Sequence, residues 1–281
     1  MLKTEFEMKE ISISQIGKSA CGPTAVLNIL SILNYSNIPT KEELLNFFPA
    51  RTRNYKTKNL REYLLSRIRA GTIHSEIIEC VEKITNKSII GKFFVIDQYM
   101  QINKFEEFLY ECFSKKIAMM FTENLFILGN DAWHHQSCYG INLDKHLLYL
   151  TNPIESVPTY QVLKWISSGQ WMIIPKDHLI DKVITEEDLK EFSTEKWDSF
   201  SISRQLFFLL KKNDKKADIF TEGFSRYQDL TIPYGGIGGI SMFYEKDNLE
   251  AIDFLKEFRT EKYYLPFYDK EVEITEIELK F

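Results

Sequence analysis

From Cys21 the chain reads Cys-Gly-Pro-Thr-Ala-Val-Leu-Asn-Ile-Leu, and Ala25, Val26, Leu27, Ile29, Leu30, Ile32 and Leu33 leave almost no polar side. A helix apolar nearly all round is a buried helix. Pro23 suits its first turn, where a missing N–H is no loss. The pattern predicts a helix over 21–35. A second start follows at Thr40, with Glu43 three residues on as a capping box. Residues 51–57 are polar and basic and read as a loop. Thr57-Lys-Asn-Leu60 opens a helix that ends before Gly71, and 74–85 suggests another. The first ten residues read as a short strand or arm.

Further on, 91–96 reads as a strand, 104–112 as an amphipathic helix with Phe105, Phe108 and Leu109 inward, and 117–122 as a strand. Asp131 to Ile141 reads as a strand entering a turn at 142–146, and Leu147 to Pro153 as the strand that returns. Beyond Pro175, helices are predicted to begin at Thr185-Glu-Glu-Asp188 and to span 201–210. Two strands are predicted across the glycine turn 235–239, then a helix over 247–258. The last stretch, 271–281, alternates, and it keeps Val272, Ile274, Ile277 and Leu279 on one face only with a bulge near Thr275. The expectation is an α+β protein with a domain over 1–180 and a C-terminal α+β extension over 181–281 packed on it.

The chain has 281 residues, 44% of them hydrophobic, and a net charge of -5. That is enough for a real core. It carries no basic block, so nucleic acid is not expected as a partner. No run is long and apolar enough to span a bilayer. The opening Met1–Glu10 has acids where a signal peptide needs an apolar region. Its 4 cysteines are irregularly spaced and set no disulfide framework. These features point to the cytoplasm, or to export by a route without a signal peptide, and a reducing compartment keeps a thiol available.

The chemistry centres on Cys21. A cysteine at a helix N-terminus feels the positive end of the macrodipole, which favours the nucleophilic thiolate. The hairpin 131–153 can bring one histidine and Asn152 together at neighbouring strand ends. Cys, then His, then Asn, is an order used in nucleophilic acyl transfer. In that arrangement the thiolate attacks a carbonyl, the imidazole moves the proton and the Asn amide orients the ring. Gln15, six residues before the cysteine, and the backbone N–H of Cys21 would donate to the oxyanion.

Residues 10–176 resemble the papain-like cysteine peptidase superfamily. Within it they are most similar to the bacteriocin-processing (double-glycine leader) peptidases and their stand-alone relatives. The resemblance rests on the spacing of Gln15 and Cys21, on Cys21-Gly22-Pro23 before an apolar helix, on His134 to Gly140-Ile141, on Leu-Tyr-Leu-Thr-Asn152-Pro153, and on Trp165 to Pro175. Many of these relatives carry Asp-Pro where this chain has Asn152-Pro153, and a glycine where it has Trp133. The resemblance implies a papain-like fold, with a helical half carrying Cys21 and an antiparallel sheet half carrying the histidine and Asn152. Its six-residue interval to Gly140 favours His134 as the base. His135 is the alternative, because neighbouring strand residues face opposite ways.

The implied activity is a cysteine peptidase or amidase that cleaves a peptide or peptide-like bond in a peptide or protein substrate through a Cys21 thioester. An acyltransferase or ligase-like enzyme using the same residues is the first alternative, and a non-catalytic binding protein that keeps the fold is the second. No cofactor is expected. Zinc on Cys21, His134, His135 and Cys138 is disfavoured because adjacent strand histidines point apart. Gly235–Gly239 lacks the following helix and the Lys-Ser/Thr of a phosphate loop. Cys80, Cys112 and Cys138 read as core.

Overall fold

A run of twelve residues, Cys21–Ile32, forms a helix in which every residue is buried. The structure, a computed structural model, describes residues 2–17, 19–49, 51–97, 99–125, 133–167, 171–175, 178–179, 181–183, 185, 229–233, 238–265 and 270–277. Its elements in chain order begin with α1 (Glu5–Ile11), α2 (Cys21–Ile32), α3 (Lys41–Leu45), α4 (Leu60–Arg69), α5 (His74–Ile84), β1 (Ile89–Ile96) and α6 (Ile102–Ser114). Next come β2 (Ala118–Asn124), β3 (Trp133–Asn142), β4 (Leu147–Leu150), β5 (Glu155–Pro158), α7 (Thr159–Ser167) and β6 (Trp171–Pro175). The last are β7 (Asp229–Pro233), β8 (Gly239–Glu245), α8 (Leu249–Lys256), β9 (Thr260–Leu265) and β10 (Lys270–Ile277).

The opening segment is a helix rather than a strand or arm. Thr4 and Glu7 form a reciprocal capping box that satisfies its first N–H groups. The same device starts α3 at Thr40 and Glu43, where the sequence placed it. Asn59, not Thr57, caps α4 by accepting from the Glu62 N–H.

Eight strands form one sheet in the order β5-β4-β3-β2-β8-β1-β10-β9, and β6 and β7 form a separate pair. The sheet is mixed: β1 and β10 run parallel and the remaining neighbours antiparallel. Strand side chains alternate faces, and both faces are covered. Ala118, Met120, Tyr139 and Phe243 share a core with α1, α2 and α5. Met119, Phe121, Cys138, Ile240 and Met242 share another with α6, α7 and α8. The α+β class is thus realised as helices on the two faces of a single sheet.

The strands β8, β9 and β10, which lie in the segment expected as an extension packed on the core, belong to that sheet. The strand β8 lies between β1 and β2. It enters at Gly239, with φ 155°, where an added Cβ would sit 2.3 Å from the Phe94 carbonyl oxygen. Only glycine fits so close an approach of two backbones. The two strands flanking the glycine turn belong to different sheets, β7 to the pair with β6 and β8 to the main sheet. No bulge interrupts β10, whose pairing with β9 is continuous from Lys270 to Thr275. Instead its first half buries Val272 and Ile274 in one core and its end buries Ile277 in the other. The helices expected at 185–188 and 201–210 lie outside the described residues, except for Thr185 itself. Among the described residues, no helix is long and apolar enough to cross a membrane.

Candidate active site

Cys21 opens α2, and α2 lies on β3. Ser137 of β3 donates its hydroxyl to the Ala25 carbonyl at 3.1 Å, which fixes helix against strand. Asn28, buried in the middle of α2, holds the segment before the helix. Its Oδ1 accepts from the Ile13 N–H at 2.8 Å and its Nδ2 donates to the Ile13 carbonyl at 3.1 Å. Thr24 accepts from the Ile16 N–H at 3.1 Å. Gln15 lies between these two anchors. Its exposed amide donates to the Gly17 carbonyl at 2.8 Å, so it is engaged within its own loop rather than with the sulfur.

The thiol itself is buried, with Cys21 8% exposed. Burial pushes its pKa up, against the lowering expected from the helix N-terminus. The backbone N–H groups of His135, Gly22 and Cys21, and then the Arg53 guanidinium, pull the other way without prevailing. The sulfur therefore meets the N-terminal edge of β3 through the main chain of His135. Arg53, on the loop read only as polar, contributes a charge that sequence reasoning did not assign.

The two histidines go to opposite faces of β3. His135 shares the α2 side with Ser137 and is fully engaged there. Its Nε2–H donates to the Thr72 carbonyl at 2.9 Å, and its Nδ1 accepts from the Thr122 hydroxyl at 3.2 Å. It is 3% exposed, and burial lowers its pKa to about 4. A neutral ring with both nitrogens satisfied is a structural group.

His134 shares the other face with Gln136 and Cys138. Its Nε2–H donates to the Asn152 carbonyl at 2.9 Å. A neutral imidazole that donates from Nε2 has its lone pair on Nδ1, free to take a proton. Burial lowers the pKa of His134 too, while the Asn152 bond and the Glu155 charge raise it. Among the described residues no hydrogen bond joins the Cys21 sulfur to either ring.

The structure thus brings His134 and Asn152 together, but by a different atom from the one expected. The main-chain carbonyl of Asn152 holds the ring, not its side-chain amide. Asn152 has φ 61° and precedes a cis Pro153. Asparagine tolerates this left-handed region better than most residues. Its side-chain Nδ2 is buried without a hydrogen-bond partner. Gln136 braces the same carbonyl, with Nε2 at 3.3 Å from Asn152 O and 2.9 Å from Glu155 Oε1. Sequence reading missed Gln136, Glu155, Thr72 and Thr122. Gln136 alone carried a signal, its place two residues after His134 and so on the same face of the strand.

Cys80, Cys112 and Cys138 are free and buried, as the sequence suggested. Burial raises each of their thiol pKa values, to about 12 for Cys80 and Cys138. The face assignments separate His135 from His134 and Cys138, as strand alternation required of the zinc alternative. No protein-family model and no curated protein matches the chain.

Gly22 lets α2 approach the 71–72 turn. A Cβ there would lie 2.8 Å from both Cβ and Oγ1 of Thr72. The Thr72 carbonyl holds His135, so Gly22→Ala is expected to push helix and turn apart and to cost about 1–3 kcal/mol as overpacking. Urea unfolding of this variant checks it, and an unchanged midpoint would mean that the turn yields freely.

Proposed function

We propose that this protein is a cysteine-dependent acyl-transfer enzyme of the peptidase or amidase type, with Cys21 as nucleophile and His134 as general base and acid. The observation that carries this reading is the tautomer set at His134. Nε2–H is committed to the Asn152 carbonyl, which leaves Nδ1 as the basic atom at the end of β3 whose backbone meets the sulfur. The His134 ring lies on the face of β3 away from α2, so as the sulfur attacks a carbonyl carbon its proton would reach Nδ1 around the N-terminal edge of the strand, by a shift of the ring or through one water. The imidazolium then returns that proton to the leaving group, and the thioester is resolved by water or by an amine. The backbone N–H groups at the start of α2 supply donors for the oxyanion. The resemblance to the papain-like superfamily supports the same assignment. It implies a peptide or protein substrate and a site that works without a cofactor.

Because the resting thiol is held protonated by burial, the base must be neutral for the reaction. His134 has its pKa lowered below 6.5. The rate of acyl-enzyme formation is therefore expected to rise with pH along a limb lying below 6.5, then to stay flat through neutrality. Intact-mass detection of acyl-Cys21 with short peptidyl thioesters as donors, followed against pH, measures this. Supplying amines separates hydrolysis from transfer by the product formed.

A second reading, a binding protein that retains the arrangement without turnover, is favoured by the buried sulfur and by the lack of a hydrogen bond from it to either ring. It predicts no adduct at any pH, and iodoacetamide alkylation of Cys21 no faster than that of a free thiol.

A further inference from the structure

Glu123 is a buried acid that the mechanism above does not use. It lies in β2 directly across from His134, in register on the same face of the sheet. It is 1% exposed, and its Oε1 has no hydrogen-bond partner. Glu155, at the exposed start of β5, accepts from Gln136, which also donates to the carbonyl that holds His134. A buried carboxyl with an open acceptor beside a second carboxyl and a histidine has no evident packing purpose.

We propose that Glu123 and Glu155 act as a carboxyl pair that holds one negative charge beside His134, making them positioning residues for that histidine. The role matters for catalysis only on the acyl-transfer reading given above. Burial first, and then the charge of Glu155, push the Glu123 carboxyl well above the usual carboxylate range. The Asn152 carbonyl first, and then the charge of Glu155, raise the His134 pKa against its burial. When His134 takes the thiol proton, its new positive charge faces this pair. Loss of Glu155 would remove its repulsion and bring the Glu123 carboxyl closer to ionising in its place, with burial still holding it up.

Among the described residues, other titratable groups on this side are few. Cys138 lies further along the same face of β3, opposite Met119, and the charge of Glu123 is a lesser cause raising its thiol. From α7 the charged residue is Lys164, which is exposed. From α6 comes Glu106, which is paired with His146 at 2.9 Å. The remaining α7 contacts, Val162, Trp165 and Ile166, are buried in the core on this face.

Imidazole NMR titration of His134 in the full chain tests the pair. Glu123→Gln alone is expected to leave the His134 pKa nearly unmoved. Glu155→Gln should lower it, and Glu123→Gln with Glu155→Gln should lower it further than Glu155→Gln does. An unmoved value in Glu155→Gln, or a double variant identical to that single one, overturns the proposal. Should the buried Glu123→Gln substitution prevent folding, carboxyl carbon titration in the parent and in Glu155→Gln decides instead. Glu123 must then titrate at lower pH once Glu155 is gone, and an unchanged value overturns the pairing. Neither titration needs turnover. Failure here leaves the acyl-transfer reading standing, and failure of thioester trapping leaves the carboxyl pair standing.

Discussion

Replacing Cys21 by alanine is expected to abolish acyl transfer, by a factor on the order of 10⁶ where the nucleophile acts as one unit with its base. The two neighbouring histidines should then part company. On the proposed mechanism His134→Ala removes the group that carries the proton and should slow thioester turnover by about 10²–10⁴. Its ring is only partly buried, so the fold should survive. His135→Ala should do the reverse. It strips a satisfied ring from between the Thr72 carbonyl and the Thr122 hydroxyl, both bonded to it now. Each buried polar group left alone costs about 1–3 kcal/mol, and the lost ring adds a cavity. Turnover rate and urea midpoint, measured on both variants, give a crossed pattern. The opposite cross, with His135→Ala inactive at full stability and His134→Ala active, would move the base to His135 and undo the tautomer argument.

The choice between these rings shows how far the sequence could be read. Hydrophobic periodicity located α2, α3, α5, α6, β2 and β3, because burial of one face is written locally in the spacing of apolar residues. It also showed that adjacent histidines on a strand must diverge. It could not show which face α2 would occupy, since that depends on Ser137 meeting Ala25 across 112 positions of chain. Asn152 was found by pattern and assigned to the wrong atom. Its side chain is what a motif displays, whereas its backbone angle is what the site uses. Glu123 gave no local sign at all, standing between Thr122 and Asn124 at the polar end of its strand, with its burial created only by tertiary packing. The lowered thiol pKa expected at a helix N-terminus was a correct local effect, outweighed by burial that only tertiary packing creates.

The largest expected effect on the fold comes from cutting the chain near residue 180, at the boundary where the resemblance to the papain-like superfamily ends. Such a fragment keeps Gln15, Cys21, His134 and Asn152 and loses β8. That strand pairs with β1 from Ile89 to Phe94 on one side and with β2 from Ala118 to Thr122 on the other. Its removal leaves two long apolar strands with unpaired backbone edges in the middle of the sheet, the condition that promotes edge-to-edge association. Ile240, Met242, Phe243, Tyr244, Leu255, Val272, Ile274 and Ile277 leave the core with it, all buried now. Each such side chain contributes about 1.5–3 kcal/mol through burial, and a domain's whole net stability is about 5–15 kcal/mol. The fragment is therefore expected to aggregate and to show no cooperative thermal transition, while the full chain melts as a unit. The β3 strand sits one place further along, hydrogen-bonded to β2, so losing β8 should also release His134 from its register with Glu123. A soluble fragment of residues 1–180 with a sharp melt would mean that β1 and β2 can close on each other. The central strand would then be an addition to the fold rather than the element that joins its two halves.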